Sequence, residues 1–276
     1  LGAPWVSAHD KRFRRWVDAW VDEGSVAPWG HRFVGMSSMQ SLVKRMVHGL
    51  DVRLGTEVTS VERHGERWRL VAHNGAGLGE FEAVVLALPA MRAEALLKWS
   101  APELAALCAR AKLAPRWVAT VSLATAIELE AELEPKVGTL ERLVAESRKP
   151  GRATGERWVL HATADWSRRH EDEPAEKVAA VLLDAFWATT GARPGTPLLL
   201  DARLWREGRV QTPLGQPCLF DEQLFAAAAG DWCLGDSVEA AFLSGSAAAG
   251  RLNAMRGMPA AEPERPPDIA GQLRLF

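Results

Sequence analysis

Apolar positions follow a helical spacing at the start of this 276-residue chain and then change to strand-like alternation. Phe13, Trp16, Val17, Trp20 and Val21 share one helical face, which predicts an amphipathic helix over 10–24 with Asp10 at its start and Gly24 at its end. Met39, Leu42, Val43 and Met46 predict a second over 38–47. Then Val52–Leu54, Glu57–Arg63 and Arg67–His73 alternate or carry β-branched residues and read as short strands. Phe81–Leu88, FEAVVLAL, is an almost unbroken apolar run that Pro89 stops, the pattern of a strand buried on both faces. Helices are expected over 91–97 and 103–111, and strands over 117–124 and 158–162. A clear helix follows over 175–187, with Val178, Val181, Leu182, Ala185 and Phe186 turned inward. Leu198–Trp205 reads as a strand, Thr212–Pro217 as a turn region and Trp166–Pro174 as a polar loop. The acidic stretch 127–148 gives no assignment, and its run 128–134 reads as a solvated face. After Arg256 the chain is rich in Pro, Glu and Arg, the composition of a disordered tail over 258–276.

Strands and helices mixed in this way indicate an α/β or α+β fold, and the length allows one large core or two domains. A content of 47% apolar and 25% charged residues is that of an ordinary globular protein. The net charge of −2 points to no nucleic-acid or anionic membrane surface, and no apolar run is long enough to span a bilayer. Cys108, Cys218 and Cys233 are far apart and lack metal-ligand spacing. They read as reduced thiols of a cytoplasmic, reducing compartment, with no metal site. The chain has 12 Trp and no Tyr, so no mechanism that needs a phenol is open to it.

The stretch with most chemistry in it is FAAAAGDWCLGDSVEAAFLSGSAAAGRL, Phe225–Leu252. Small residues end in Gly230-Asp231, a tight loop follows, and a helix begins near Val238. Asp236 and Glu239 have the spacing of a capping box, and Phe242, Ala249 and Leu252 fall on one helical face. A Gly-Asp turn before a closely packed helix suits a polyol and an anion: the carboxylate accepts from hydroxyls, and the helix start carries about half a positive charge.

This segment resembles the C-terminal flavin motif of FAD-dependent amine oxidases, most closely of the renalase family. The resemblance extends through SAHDKRFRRWVDAW, VGMSSMQSLVKRM, EVTSVERHGERWRL with FEAVVLALPA, KPGRATGERWVLHATADWSRRH, PLGQPCLFD and GDWCLGD, in the family's order over most of residues 5–252. It implies FAD as cofactor, with Gly230 and Asp231 at the ribityl chain, Val238, Glu239 and Ala240 under the flavin ring, and Val58 beside the adenine. It implies a partial FAD-binding domain of flavin amine oxidase type from 1–112 and 221–257, incomplete at its N-terminus, with 1–36 near a domain junction. A mixed-sheet substrate domain over 113–220 is inserted into it. The implied reaction is hydride transfer from a reduced nicotinamide-type (dihydropyridine) or amine substrate to flavin, with O2 as acceptor. No side chain is assigned as catalytic, because hydride transfer from a dihydropyridine requires none. The alternative is a truncated, inactive flavoprotein remnant that serves as a binding or structural domain.

The sequence departs from the family in two places. The opening strand, G-x-G-x-x-G turn and helix that grip the FAD pyrophosphate are missing. The chain begins at Leu1, which reads as a truncation or a degenerate homologue. Gly75-Ala76-Gly77-Leu78-Gly79 lies between two strands and reads as a hairpin turn. In the presumed substrate pocket, Arg203 stands where His is usual and Glu207 where Tyr is usual, while Trp205 remains. Trp205 and Arg203 are the pocket candidates, with His161 as a third that could line a cavity.

Overall fold

A computed structural model describes residues 2–47 and 49–257, so the expected tail over 258–276 lies outside the described residues. In chain order the elements are α1 (Lys11–Asp22), β1 (Val26–Trp29), β2 (Arg32–Gly35), α2 (Gln40–Met46), β3 (Val58–His64), β4 (Arg67–Ala72), β5 (Gly77–Phe81), β6 (Val84–Leu86), α3 (Ala90–Leu97), α4 (Pro102–Cys108) and β7 (Lys112–Leu123). They continue with β8 (Glu132–Leu133), β9 (Leu140–Ala145), β10 (Glu156–Ala162), α5 (Ala164–Arg169), α6 (Ala175–Thr190), β11 (Pro197–Thr212), β12 (Leu219–Asp221), β13 (Ala226–Ala228) and α7 (Val238–Met255). The fold is mixed α and β. It forms two compact units: unit 1 from the described parts of Leu1–Val6, Trp20–Val43 and Leu113–Arg209, and unit 2 from those of Ser7–Ala19, Lys44–Lys112 and Val210–Phe276.

Unit 1 is built on a five-stranded sheet in the order β11-β7-β10-β9-β8. Side chains alternate across a strand, so each strand sends every second residue to one face. Trp117, Ala119 and Val121 of β7, Trp158, Leu160 and Ala162 of β10, and Ala202 of β11 enter one apolar core with Val178, Leu182 and Phe186 of α6. The alternate residues Arg116, His161 and Arg203 fall on the other face. The helix expected over 175–187 is present, but Val181 is 37% exposed, because only the stripe spaced by four residues meets the sheet. The polar loop expected over 166–174 instead contains α5, whose first turn is capped by the Thr163 hydroxyl accepting from the Trp166 amide. The hairpin β1–β2 also belongs to this unit, and Val6 bridges to Phe33 beside it.

Unit 2 holds two small sheets, β3-β4-β5 and β12-β13-β6. Gly75 sits at positive φ in the turn between β4 and β5, where the Ala72 amide donates to the Ala76 carbonyl, so the glycine-rich stretch is a hairpin. The run Phe81–Leu88 is not one doubly buried strand. Phe81 ends β5, and only Val84–Leu86 form β6, in parallel register with Ala226–Ala228 of β13. Among the described residues β6 is an edge, and Val85 and Leu88 are each more than a third exposed. Val52–Leu54 forms no strand: it is exposed along its length and has no pairing partner among the described residues.

Candidate functional site

The Gly230-Asp231 turn leaves the C-terminal end of β13, the strand paired in parallel with β6. Gly230 is extended, and its amide donates to the buried Ser244 hydroxyl of α7 at 3.1 Å. That bond fixes the turn against the helix it feeds. Asp231 Oδ1 accepts from the Trp232 amide at 2.9 Å, and the Trp232 indole N–H donates to the Leu88 carbonyl at 2.9 Å. Burial holds the Asp231 carboxyl above the usual carboxylate range, against the lowering effect of the Trp232 amide bond. A partly desolvated carboxylate with one oxygen committed to the backbone is a strong acceptor for a ligand hydroxyl.

The start of α7 is capped differently from the sequence expectation. Ser237, not Asp236, is the N-cap, and its hydroxyl accepts from the Ala240 amide at 3.0 Å. Asp236 instead accepts from the Val210 amide at 3.2 Å. Glu239 Oε1 accepts from the His9 and Asp10 amides at 2.6 and 2.7 Å, so it ties the chain before α1 to the start of α7. The buried stripe of α7 is Ala240, Ser244 and Ala248. Ala249 is exposed, while Phe242 packs at 4.8 Å from the Phe13 ring and 5.7 Å from the Trp16 ring. Small residues face inward where the helix lies against small-residue β13, and the aromatic meets α1.

These residues suit the ribityl and ring end of FAD. Asp231 offers a half-buried acceptor, and the Val238 and Glu239 amides begin a helix whose Ala240 amide is already capped. Val58 opens β3 opposite Ala72, at a register shift in the β3–β4 pair. The sequence supplies no glycine turn for a pyrophosphate. Of the residues expected around the flavin, Gly230, Asp231, Val238, Glu239 and Ala240 stand together on one turn and the helix after it, while Val58 belongs to the other sheet of unit 2.

The other candidates lie in unit 1. His161, Arg203 and Trp205 share the sheet face opposite the apolar core. Arg203 stands 5.8 Å over the Trp205 ring, and Trp205 is 39% exposed. Gly208, further along β11, has no room for a Cβ: one built there would meet Trp205 Cβ at 2.8 Å and Arg116 Cβ at 2.9 Å. His161 is 2% exposed, and neither ring nitrogen has a hydrogen-bond partner. Burial, then the charges of Arg116, Arg142 and Lys149, push its pKa down to about 3, so the ring is neutral. His170 is structural: it stacks on Trp166 with centroids 3.9 Å apart, and its Nδ1 lies 2.7 Å from the Trp166 carbonyl.

Sequence reasoning missed the charged network on this face. Arg116 pairs with Glu141 at 2.9 Å, Arg142 with Glu134 at 2.8 Å, and Arg32 and Arg142 both reach Glu132. Glu132 and Glu134 are therefore held by arginines rather than merely solvated. The Arg142 pairing also holds the Glu134 carboxyl below its usual range. Arg32 lies 3.6 Å over the Trp5 ring. A cleft of about 660 Å³ lies elsewhere in unit 1, between the 123–129 and 187–196 segments, and none of the expected site residues lines it. No helix among the described residues is long and apolar enough to cross a membrane.

Residues 29–253 match the family described as flavin containing amine oxidoreductase. Among solved structures, the chain is similar to a crystal structure from Exiguobacterium sp. 255-15 described as a "putative protoporphyrinogen oxidase". The TM-score is 0.59 and the identity 16%, over 88% of this chain and 58% of that one. This chain thus spans little more than half the length of that protein, and at this identity the likeness is one of fold.

Proposed function

The chain belongs to the flavin-containing amine oxidoreductases, a family of FAD flavoproteins, and we propose that it represents a renalase-type FAD-dependent oxidoreductase. The observation that carries this reading is the half-buried Asp231 carboxylate in a turn bonded to Ser244, directly before the Ser237-capped start of α7. Unit 2 is then the partial FAD-binding domain and unit 1 the substrate domain. On this reading the domain boundaries would lie at 112/113 and 209/210, where the compact units divide, rather than at 112/113 and 220/221, with Trp20–Val43 on the substrate side.

The substrate is a reduced nicotinamide-type or amine compound, and O2 is the acceptor. The chemistry that bound FAD supplies is acceptance of hydride and its onward transfer to O2. Asp231 would accept hydrogen bonds from the polyol chain. The first amides of α7, Val238 and Glu239, would present partial positive charge to the flavin ring and favour its anionic form. Glu239 contributes through its backbone, since its carboxylate is engaged by the His9 and Asp10 amides. Val58 is proposed beside the adenine, and Arg203, Trp205 and His161 in the substrate pocket.

A second reading is an inactive remnant. One observation favours it: β6 is an open edge among the described residues. An absorbance spectrum after incubation with FAD and desalting separates the two. Retained bands at about 380 and 450 nm, lost in Asp231→Ala, support flavin binding at this turn. A colourless wild-type chain overturns flavin binding by this chain alone and leaves the remnant. With flavin retained, O2 consumption on adding reduced nicotinamide isomers tests the substrate class.

A further inference from the structure

His161 is the least satisfied side chain on the charged face of unit 1. It stands on β10 opposite Val118 of β7 and opposite Arg142 of β9. Leu160 and Ala162, on either side of it, enter the apolar core, so its ring projects from the opposite face. Next to it the register with β9 shifts: His161 faces Arg142 and Ala162 faces Leu140, which leaves Glu141 as the extra residue of a bulge. Bulges re-aim side chains, and this one turns Glu141 to Arg116.

Buried histidines normally have a partner for at least one nitrogen. Here neither nitrogen has a hydrogen-bond partner, and the ring is almost wholly enclosed. Arg116, Arg142 and Lys149 all act on the ring as positive charge. A ligand that brought another cation would be repelled. One that brought an anionic acceptor would meet a neutral imidazole N–H flanked by the guanidinium groups of Arg116 and Arg142, whose charge Glu141, Glu132 and Glu134 partly offset, and hydrogen bonds to an ionised acceptor are the stronger kind. Trp205 lies on the same face and is partly exposed, and its Cβ and that of Arg116 both crowd the hydrogen face of Gly208. A flat ring can lie against it.

We propose that this sheet face binds a small aromatic carboxylate, its carboxylate accepting from a ring nitrogen of His161 between Arg116 and Arg142 and its ring lying toward Trp205. The proposal rests on reading this face as the substrate pocket, and it names a class of ligand that this pocket takes without oxidising it: a flat molecule with a carboxylate on its ring. A hydroxyl or amine next to the carboxylate would satisfy the second imidazole nitrogen.

The test is a titration of the full chain, labelled with 15N-histidine, with benzoate and with its neutral counterpart benzamide. Calorimetry gives affinity and NMR the imidazole signals, with the His161 signals assigned by their loss in His161→Leu. Benzoate is expected to saturate with a Kd below about 1 mM, to move the His161 signals, and to bind at least about tenfold more tightly than benzamide. His161→Leu and Trp205→Leu should each weaken it by about tenfold or more. Three results overturn the proposal: no saturation by benzoate, equal binding of benzamide, or unchanged affinity in both folded variants. If a variant does not fold, the wild-type acid-to-amide ratio and the His161 signals still decide. No flavin is needed. Failure here leaves the flavin reading standing, and benzoate binding by a chain that retains no flavin does the reverse.

Discussion

At the scale of single residues, His161 also sets how stability responds to acid. Its folded pKa of about 3 lies below the ordinary histidine value of 6.5. Between these two values the unfolded chain binds the proton that the folded chain refuses, so folding stability falls as pH drops from 6.5 towards 3 and is unaffected by this group above 6.5. One pKa unit corresponds to 1.36 kcal/mol, so moving from pH 7 to pH 5 should cost roughly 2 kcal/mol through this ring. In His161→Leu that acid-dependent loss should disappear. At pH 7 the variant should be as stable as the parent or more so, because an unpaired buried polar group is removed at similar volume. Urea midpoints of both proteins at pH 7 and pH 5 check this; an equal acid shift in the two would mean that the ring is not the titrating group. The sequence showed a histidine on a strand. It did not show that both nitrogens are left unpaired, because that depends on how three strands line up, with Val118 and Arg142 contributed from 43 and 19 residues away.

At the scale of elements, the start of α7 turns on which side chain caps it. The D-x-x-E spacing suggested Asp236 and Glu239, but Asp236 accepts from Val210 and Glu239 from His9 and Asp10. Ser237 caps the helix. Ser237→Ala should therefore destabilise the protein by about 1 kcal/mol, and Ser237→Asp should restore most of it. The urea midpoint of each variant reads this out, and a silent Ser237→Ala would return the cap to Asp236. Elements whose signal is local were legible in the same way: α1 with Asp10 accepting from the Arg12 and Phe13 amides, α6 with its apolar stripe, and the β3–β4 hairpin. Elements held by distant partners were not. β8 and β9 run through an acidic stretch that becomes sheet because Arg32 and Arg142 neutralise Glu132 and Glu134. The apolar run Phe81–Leu88 was misread because continuity in sequence does not reveal where a chain changes sheets.

At the scale of the whole molecule, each unit has its own core, so unfolding followed by two probes need not be a single transition. The order of motifs was enough to place the chain in its family. A parallel pair such as β6–β13 is normally covered on both sides. Here Val85, Leu88 and Met91, at and just after β6, are 41%, 38% and 62% exposed, next to an edge with free backbone donors and acceptors. A short apolar edge of this kind pairs readily with another chain unless a charge interrupts it. The chain should therefore self-associate in a concentration-dependent way, and Val85→Lys should reduce that association. Val85 points outward from a three-residue strand, so the lysine should cost little stability, within about 0.5 kcal/mol for an exposed substitution. Sedimentation velocity over a range of concentrations, for the parent and for Val85→Lys, measures this directly. A parent that stays monomeric at all concentrations would show that the β6 edge is already protected. A Val85→Lys protein that associates as before would place the contact on another surface.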